Sequence, residues 1–239
     1  MLFVFVRFLF YKSILYKIDC FFCRSILFQY DYNMTEFITK EQVISTLKND
    51  LSEIMDNWAK NYSNNCSGGK MRGDRGEDIE KFVRKSVDFI GRHLGANLVA
   101  KRGNDDKKLC KITLDSGKEI KKFHQVDVHI YLNDVFVCVI ECKAYLDSCY
   151  YVRACDDFKL FQKFGYPVKH TIFTLENSID EDTKIFTDHL TDHICNDVFY
   201  ILDGKRSSAK PIYDEKYKKI INHENFVRFI EFIYSIAQG

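Results

Sequence analysis

What this 239-residue chain lacks first is an excess of charge of either sign: 35 Lys and Arg stand against 34 Asp and Glu, a formal net charge of +1. That balance excludes a protein held to nucleic acid or to a membrane surface by bulk charge alone. Proline is scarce, with two residues, and there is no internal repeat or low-complexity tract. Nothing in the chain therefore demands two domains, and its length suits one substantial core. Uninterrupted apolar runs of membrane-spanning length are missing too. Residues 1–33 are rich in Phe, Leu, Ile and Tyr, but Arg7, Lys12, Lys17, Asp19 and Arg24 break every stretch long enough to cross a bilayer. No short apolar core with a small-residue cleavage site follows, so a secretory signal is not expected either. We expect translation to start at Met34, with residues 1–33 a non-native or disordered extension and 34–239 the working domain. The nine cysteines are odd in number and scattered, several inside apolar runs such as Val137-Cys138-Val139. They read as buried thiols of a reducing cytoplasm, with no membrane partner. Cys20 and Cys23 form a lone CxxC without a second pair, which argues accident rather than zinc.

What charge there is lies unevenly. Residues 68–124 hold fifteen Lys and Arg against nine Asp and Glu, whereas residues 125–199 hold six against thirteen. A basic segment beside an acidic one suits a phosphate-binding surface flanking a site that collects cations.

Periodicity supplies the elements. Thr39 and Gln42 read as a capping box, and Val43, Leu47, Leu51, Ile54, Met55 and Trp58 then recur at helical spacing. Asn61 to Gly73 is polar and contains glycine, a loop by composition. A second helix is predicted from Asp74 or Gly76, its stripe formed by Ile79, Phe82, Val83, Val87, Ile90 and Leu94. From Leu109 the period becomes two, predicting strands over Leu109–Leu114 and Gln125–Leu132, with Asp115-Ser116-Gly117 and Asn133-Asp134 as turns. Val135 to Cys142 is almost wholly apolar, as a strand covered on both faces would be. Further on, the pattern predicts a helix over Leu146–Phe164, a strand over Val168–Leu175, a helix from a Ser178/Glu181 cap to Ile194, a strand over Val198–Asp203 and a helix over Phe226–Ile236. An antiparallel meander followed by alternating helices and strands gives an α/β fold: a mixed β-sheet flanked by helices in a single domain.

One constellation carries chemistry. Glu141 and Lys143 stand two apart on the covered strand and so share a face, while Cys142 points to the other layer. Two charges at the end of an apolar strand are costly, and a fold rarely accepts them for stability alone. Asp127 precedes them on the neighbouring strand. Two carboxylates suit Mg²⁺, and a lysine suits the charge that builds on a phosphate under attack. Asp134, also near, sits in turn chemistry.

The acidic residue at one strand followed by Asp/Glu-x-Lys on the next resembles the PD-(D/E)xK nuclease superfamily, over about residues 76–175, with Val126 where the name-giving proline would stand. Gly76-Glu77-Asp78-Ile79-Glu80 is similar to the start of that family's first core helix, which often adds a glutamate on the metal side. Glu80 borders the apolar stripe and Glu77 points further towards solvent, so Glu80 is the candidate. The resemblance implies a restriction-endonuclease-like fold and a type II restriction endonuclease. Such an enzyme cuts double-stranded DNA at a short specific sequence, with Asp127, Glu141, Lys143 and Glu80 catalytic and Asp127, Glu141 and Glu80 holding Mg²⁺, for which Mn²⁺ can substitute. It also implies a homodimer and a cognate DNA methyltransferase. A repair or recombination nuclease such as a junction resolvase, or an inactive DNA-binding module on the same fold, are the alternatives.

The turn poses a geometric condition. A plain two-residue hairpin at Asn133-Asp134 would pair Leu132 with Val135 and Asp127 with Ile140, turning Asp127 away from Glu141. The site therefore requires a three-residue turn, a bulge, or a bend at Asp127. For the DNA itself the expected contacts are Lys70, Arg72, Arg75, Lys101, Arg102, Arg153, Lys205 and Arg206, with Ser207 and Ser208 in a base-reading loop. His189 and His193 stand four apart but with Asp188 and Asp192 beside them, which suits a solvated helix face rather than a metal pair.

Overall fold

The computed structural model describes residues 38–62, 68–212 and 214–239; the expectation for residues 1–33 lies outside them. Helix α1, Lys40–Tyr62, forms where the four-residue repeat predicts it. Val43, Leu47, Leu51, Met55 and Trp58 all face inward, and the Trp58 indole Nε1 donates to Asp78 Oδ2 at 2.8 Å, fastening α1 to the next helix. Helix α2, Gly68–Leu94, starts earlier than the glycine-containing stretch suggests. Met71 is buried in line with Ile79, Phe82, Val83, Val87 and Ile90, so the apolar stripe reaches about two turns further back than the loop-like composition implies. Leu94, at the helix end, is partly exposed and does not belong to the stripe.

Seven strands follow: β1 Leu98–Arg102, β2 Lys108–Thr113, β3 Glu119–His124, β4 Val128–Leu132, β5 Val135–Asp147, β6 Lys169–Ser178 and β7 Asp197–Tyr200. Helix α3, Ser148–Lys163, joins β5 to β6; α4, Glu181–Leu190, joins β6 to β7; α5, His223–Gln238, closes the chain. Strands β1-β4-β5-β6-β7 make one sheet, antiparallel from β1 to β5 and parallel from β5 to β7, and β2-β3 is a separate two-stranded ribbon. The α/β class and the mixed sheet flanked by helices are as expected, and residues 40–239 form one unit.

Several boundaries differ, each for a stated reason. The strand expected over Gln125–Leu132 begins only at Val128, and β3 precedes it. Both faces of β3 are largely exposed, so it carries no alternating signal. Strand β1 was not legible for a related reason: it ends in Lys101 and Arg102, one charged residue on each face, so the apolar alternation breaks off. The expected Ser178 cap gives way to Asp180, whose carboxylate accepts from Thr183 N at 2.9 Å, because β6 pairs with β5 all the way to Ser178. That helix stops at Leu190, and His193 takes a left-handed backbone, so His189 and His193 share no helical face.

Helices α2 and α5 cover one face of the sheet, with α1 packed on both, and α3 and α4 lie on the other. On the first face Phe82 meets Phe173 at 5.9 Å and Phe173 meets Phe229 at 4.6 Å between ring centroids. On the second, Val139, Tyr151, Cys155, Phe158, Phe161 and Ile172 form a buried cluster. Sealing both faces explains why β5 reads as an apolar run. No described helix is long and apolar enough to cross a membrane.

Candidate active site

The hairpin between β4 and β5 is a two-residue turn, with Asn133 and Asp134 both at positive φ (50° and 64°) and Leu132 paired to Val135. This is the turn that would send Asp127 to the wrong side. The ladder then slips. Tyr131 pairs with Phe136, but Ile130 pairs with Cys138, leaving Val137 as a one-residue bulge. Below the bulge Val128 stands opposite Ile140, which sets Asp127, one residue before β4, beside Glu141. Of the three geometries the site required, the fold uses the bulge.

Along β5, Val139 packs into the cluster beneath α3, so Glu141 and Lys143, two and four residues on, emerge on that same face. Asp127 Oδ2 accepts from Lys143 Nζ at 3.3 Å and from the backbone N of Cys142 at 2.9 Å. Lys143 Nζ also pairs closely with Glu141 Oε1. Asp127 and Glu141 thus share one ammonium on one side of the sheet.

Backbone contacts hold Asp127 from behind. Its carbonyl accepts from Gly103 N at 2.9 Å. Gly103 lies so close that a Cβ there would stand 1.6 Å from the carbonyl oxygen of Val126, an approach only glycine permits. Val126 N donates to His129 Nε2 at 3.3 Å, and His129 Nδ1 donates to Asp106 Oδ2 at 3.0 Å. Burial holds the fully enclosed His129 below its ordinary range, against the pull of Asp106, which keeps the imidazole neutral and able to accept. Tyr131 OH and Lys108 complete the bonding around Asp106. The sequence carried a hint of this network in a histidine within an otherwise apolar strand.

The group opens into a cleft of about 570 Å³. Its walls are Phe123, His124 and Gln125 from the end of β3, Lys107 from the start of β2, and Tyr150, Arg153 and Asp157 from α3. Burial and then the charge of Asp127 push the Glu141 carboxyl up to about 7, against the attraction of Lys143. Burial pulls the Lys143 ammonium down, but the two carboxylates outweigh it and hold the group above its ordinary range. Asp157, raised by burial, is a further carboxylate facing the cleft. Its partner is His124, whose Nε2 lies 3.0 Å from the Asp157 carbonyl. Neither His124 nor Asp157 stood out in the sequence, because each sits on a different element from Glu141 and Lys143, the end of the exposed β3 and the helix α3, and spacing along the chain does not say which way it points.

Glu80 takes a different place from the one expected. Its Oε1 lies 3.1 Å from Arg102 Nε and 3.6 Å from Arg84 Nε, and it is not among the residues lining the cleft. Burial raises its carboxyl against the pull of Arg102, while the charge of Asp127 still reaches it. Among the described residues no three His, Cys, Asp or Glu side chains come together as a metal-ligand group; the assembled unit is two carboxylates and a lysine.

The expected DNA contacts divide. Arg153 lines the cleft. Arg206 stacks its guanidinium 3.7 Å above the Tyr145 ring, two residues beyond Lys143 on β5. Lys205 is exposed at the start of the same loop, followed by Ser207 and Ser208. Lys101 lies over the Tyr131 ring at 4.4 Å, and Arg102 is engaged by Glu80. Arg75 corrects the expectation: it is only 7% exposed, and its Nε donates to Met71 O at 3.3 Å, because the earlier start of α2 buries this position. The side chains of Lys70 and Arg72 lie outside those described.

No family model matches the chain, and no curated protein matches it. Among solved structures, a chain of the native BbvCI A2B2 tetramer superposes with a TM-score of 0.34 at 8% identity, covering 88% of this chain and 92% of that one.

Proposed function

We propose that this chain is an endonuclease that hydrolyses phosphodiester bonds of double-stranded DNA with Mg²⁺, acting as a homodimeric type II restriction enzyme at a short specific sequence. The observation that carries the reading is the convergence of Asp127, Glu141 and Lys143 on one face of the sheet, achieved through a bulge that moves no other part of the hairpin out of pairing.

The donor set suits a hard divalent cation. Asp127 and Glu141 offer only carboxylate oxygens, they project from adjacent strands, and a cation, the Lys143 ammonium, is already bound between them. Asp127 and Glu141 would hold Mg²⁺, which when bound neutralises charge on the phosphate and makes water a better nucleophile. With all three groups ionised the unit carries a charge of −1, so by itself it attracts a cation and repels a phosphate. Lys107 and Arg153 on the cleft wall supply the opposing charge for the flanking phosphates. Lys143, kept protonated by its two neighbours, offers N–H donors to the nonbridging oxygens that gain charge in the transition state. In this reading its role is charge stabilisation.

The test is digestion of sequenced plasmid DNA with and without Mg²⁺. Discrete, mappable fragments are expected from the wild type, and Glu141→Gln or Lys143→Ala should lower the rate by at least about a hundredfold with folding retained. Cleavage by both variants at the wild-type rate removes the assignment. Fragments without fixed ends would instead mark a nuclease that selects DNA structure, as in repair or recombination.

A further inference from the structure

The ribbon β2–β3 takes no part in the main sheet, and its purpose is not explained by the three residues that face the cleft. A two-stranded ribbon alone in water is marginally stable. This one is anchored only at its base, where Tyr166 OH donates to Leu109 O at 3.1 Å and Cys110 is buried. Beyond that point, from Lys111 to Phe123, every residue except Ile120 is exposed on whichever face it points to. The register pairs Leu109 with Phe123 and Lys111 with Lys121 on one face. Phe123 is 69% exposed and Leu109 43%. Large apolar side chains at that exposure, flanked by charge, mark a surface that meets something else.

Charge identifies the partner. Residues 107–124 hold six lysines and two acids, in a chain whose net charge is +1. Glu119 pairs with Lys111 closely and with Lys121 at 3.9 Å, whereas Lys107, Lys118 and Lys122 have no carboxylate partner among the described residues. Position then fixes where the partner lies: the ribbon leaves the body at Lys107 and returns at Phe123 and His124, all of which line the cleft that holds Asp127 and Glu141. Six residues per strand span roughly 20 Å, and a paired ribbon with its side chains is of the width that a DNA major groove, about 12 Å across, admits.

Building on the endonuclease reading above, we propose that the β2–β3 ribbon enters the major groove of the DNA duplex beside the scissile phosphate. Phe123, on one face of the ribbon, makes an apolar contact with base edges inside the groove, while Lys118 near the tip and Lys122 on the other face reach sideways to the phosphates at the groove edges. The two kinds of contact differ in kind. A lysine on a phosphate releases counterions and is lost with salt, whereas an apolar contact is not.

Binding of a fluorescein-labelled mixed-sequence duplex, followed by anisotropy across a salt series in EDTA so that nothing is cut, separates them. Lys118→Ala/Lys122→Ala is expected to reduce the slope of log Kd against log salt by roughly 1.8, about 0.9 for each phosphate contact. Phe123→Ala is expected to weaken binding roughly fivefold at every salt concentration and to leave the slope unchanged. The control, Lys48→Ala/Lys85→Ala on α1 and α2, removes the same charge from elements that do not line the cleft and should leave the slope as in the wild type. The ribbon positions and Lys85 are exposed and Lys48 is half-buried, and thermal unfolding verifies that each variant is folded. Ribbon variants that bind with wild-type slope and affinity, or a control that loses as much slope as they do, overturn the ribbon's role while leaving the nuclease reading standing. A wild-type chain that binds no duplex and cuts none overturns both.

Discussion

Glu141→Gln removes the ionisation that the metal-free site tolerates least, and the size of its effect follows from the surroundings of that side chain. Glu141 is 12% exposed at its side chain and lies beside Asp127. In the unfolded chain its carboxyl titrates at the ordinary 4.5, and in the folded chain at about 7. The folded state therefore holds the proton more tightly. Below about pH 4.5 both states are protonated and nothing is lost. As pH rises towards 7 the unfolded chain alone releases the proton, and stability falls; above 7 the whole difference, about 3 kcal/mol, is gone. Glutamine has the same shape and no such titration. His129 and His170, both depressed by burial, gain stability over the acidic part of this window, so the slope of the wild type alone decides nothing and the difference between the two proteins decides it. Urea unfolding in EDTA should show the variant gaining roughly 2 to 3 kcal/mol on the wild type between pH 5 and pH 8. Excess Mg²⁺ should shrink that gain, because a bound cation compensates the ionised pair. If the two proteins keep a constant difference across the range, Glu141 is not a buried carboxyl beside a second one, and the electrostatic account of the site fails.

Three further outcomes are expected. Lys143→Ala leaves Asp127 and Glu141 facing each other without their ammonium; it should cost about 3 kcal/mol in EDTA, and Mg²⁺ should raise its melting temperature by more than it raises that of the wild type, read by scanning fluorimetry. Gly103→Ala forces a Cβ into the Val126 carbonyl and should cost about 3 kcal/mol together with most of the cleavage activity; a stable, active variant in urea unfolding and plasmid digestion would contradict the close approach. Phe173→Ala, cut from between Phe82 and Phe229, should destabilise by about 4 kcal/mol without affecting the residues of the cleft, measured by the same unfolding assay.

Much of this molecule follows from local pattern. The inward residues of α1 and α2, the covered strand β5, the Glu141/Lys143 pair on one of its faces and the two-residue turn at Asn133-Asp134 are each set by spacing within a few residues, where backbone geometry alone relates side chain to side chain. The three-dimensional structure alone decided the rest. Whether Asp127 meets Glu141 depends on one unpaired residue, Val137, in a bulge that has no local signature. It arises because Phe136 must stack against Tyr131 and pack on Phe161 while Cys138 turns into the opposite layer. Glu80 sits on the helix edge that spacing assigns it, yet its partner is Arg102, brought there by a short strand whose charged end concealed it. Arg75 is buried by a helix that begins earlier than its glycines suggest. Periodicity states which way a side chain points along its own element; which charge it finds there is decided by the elements that pack across from it, and those are distant in the chain.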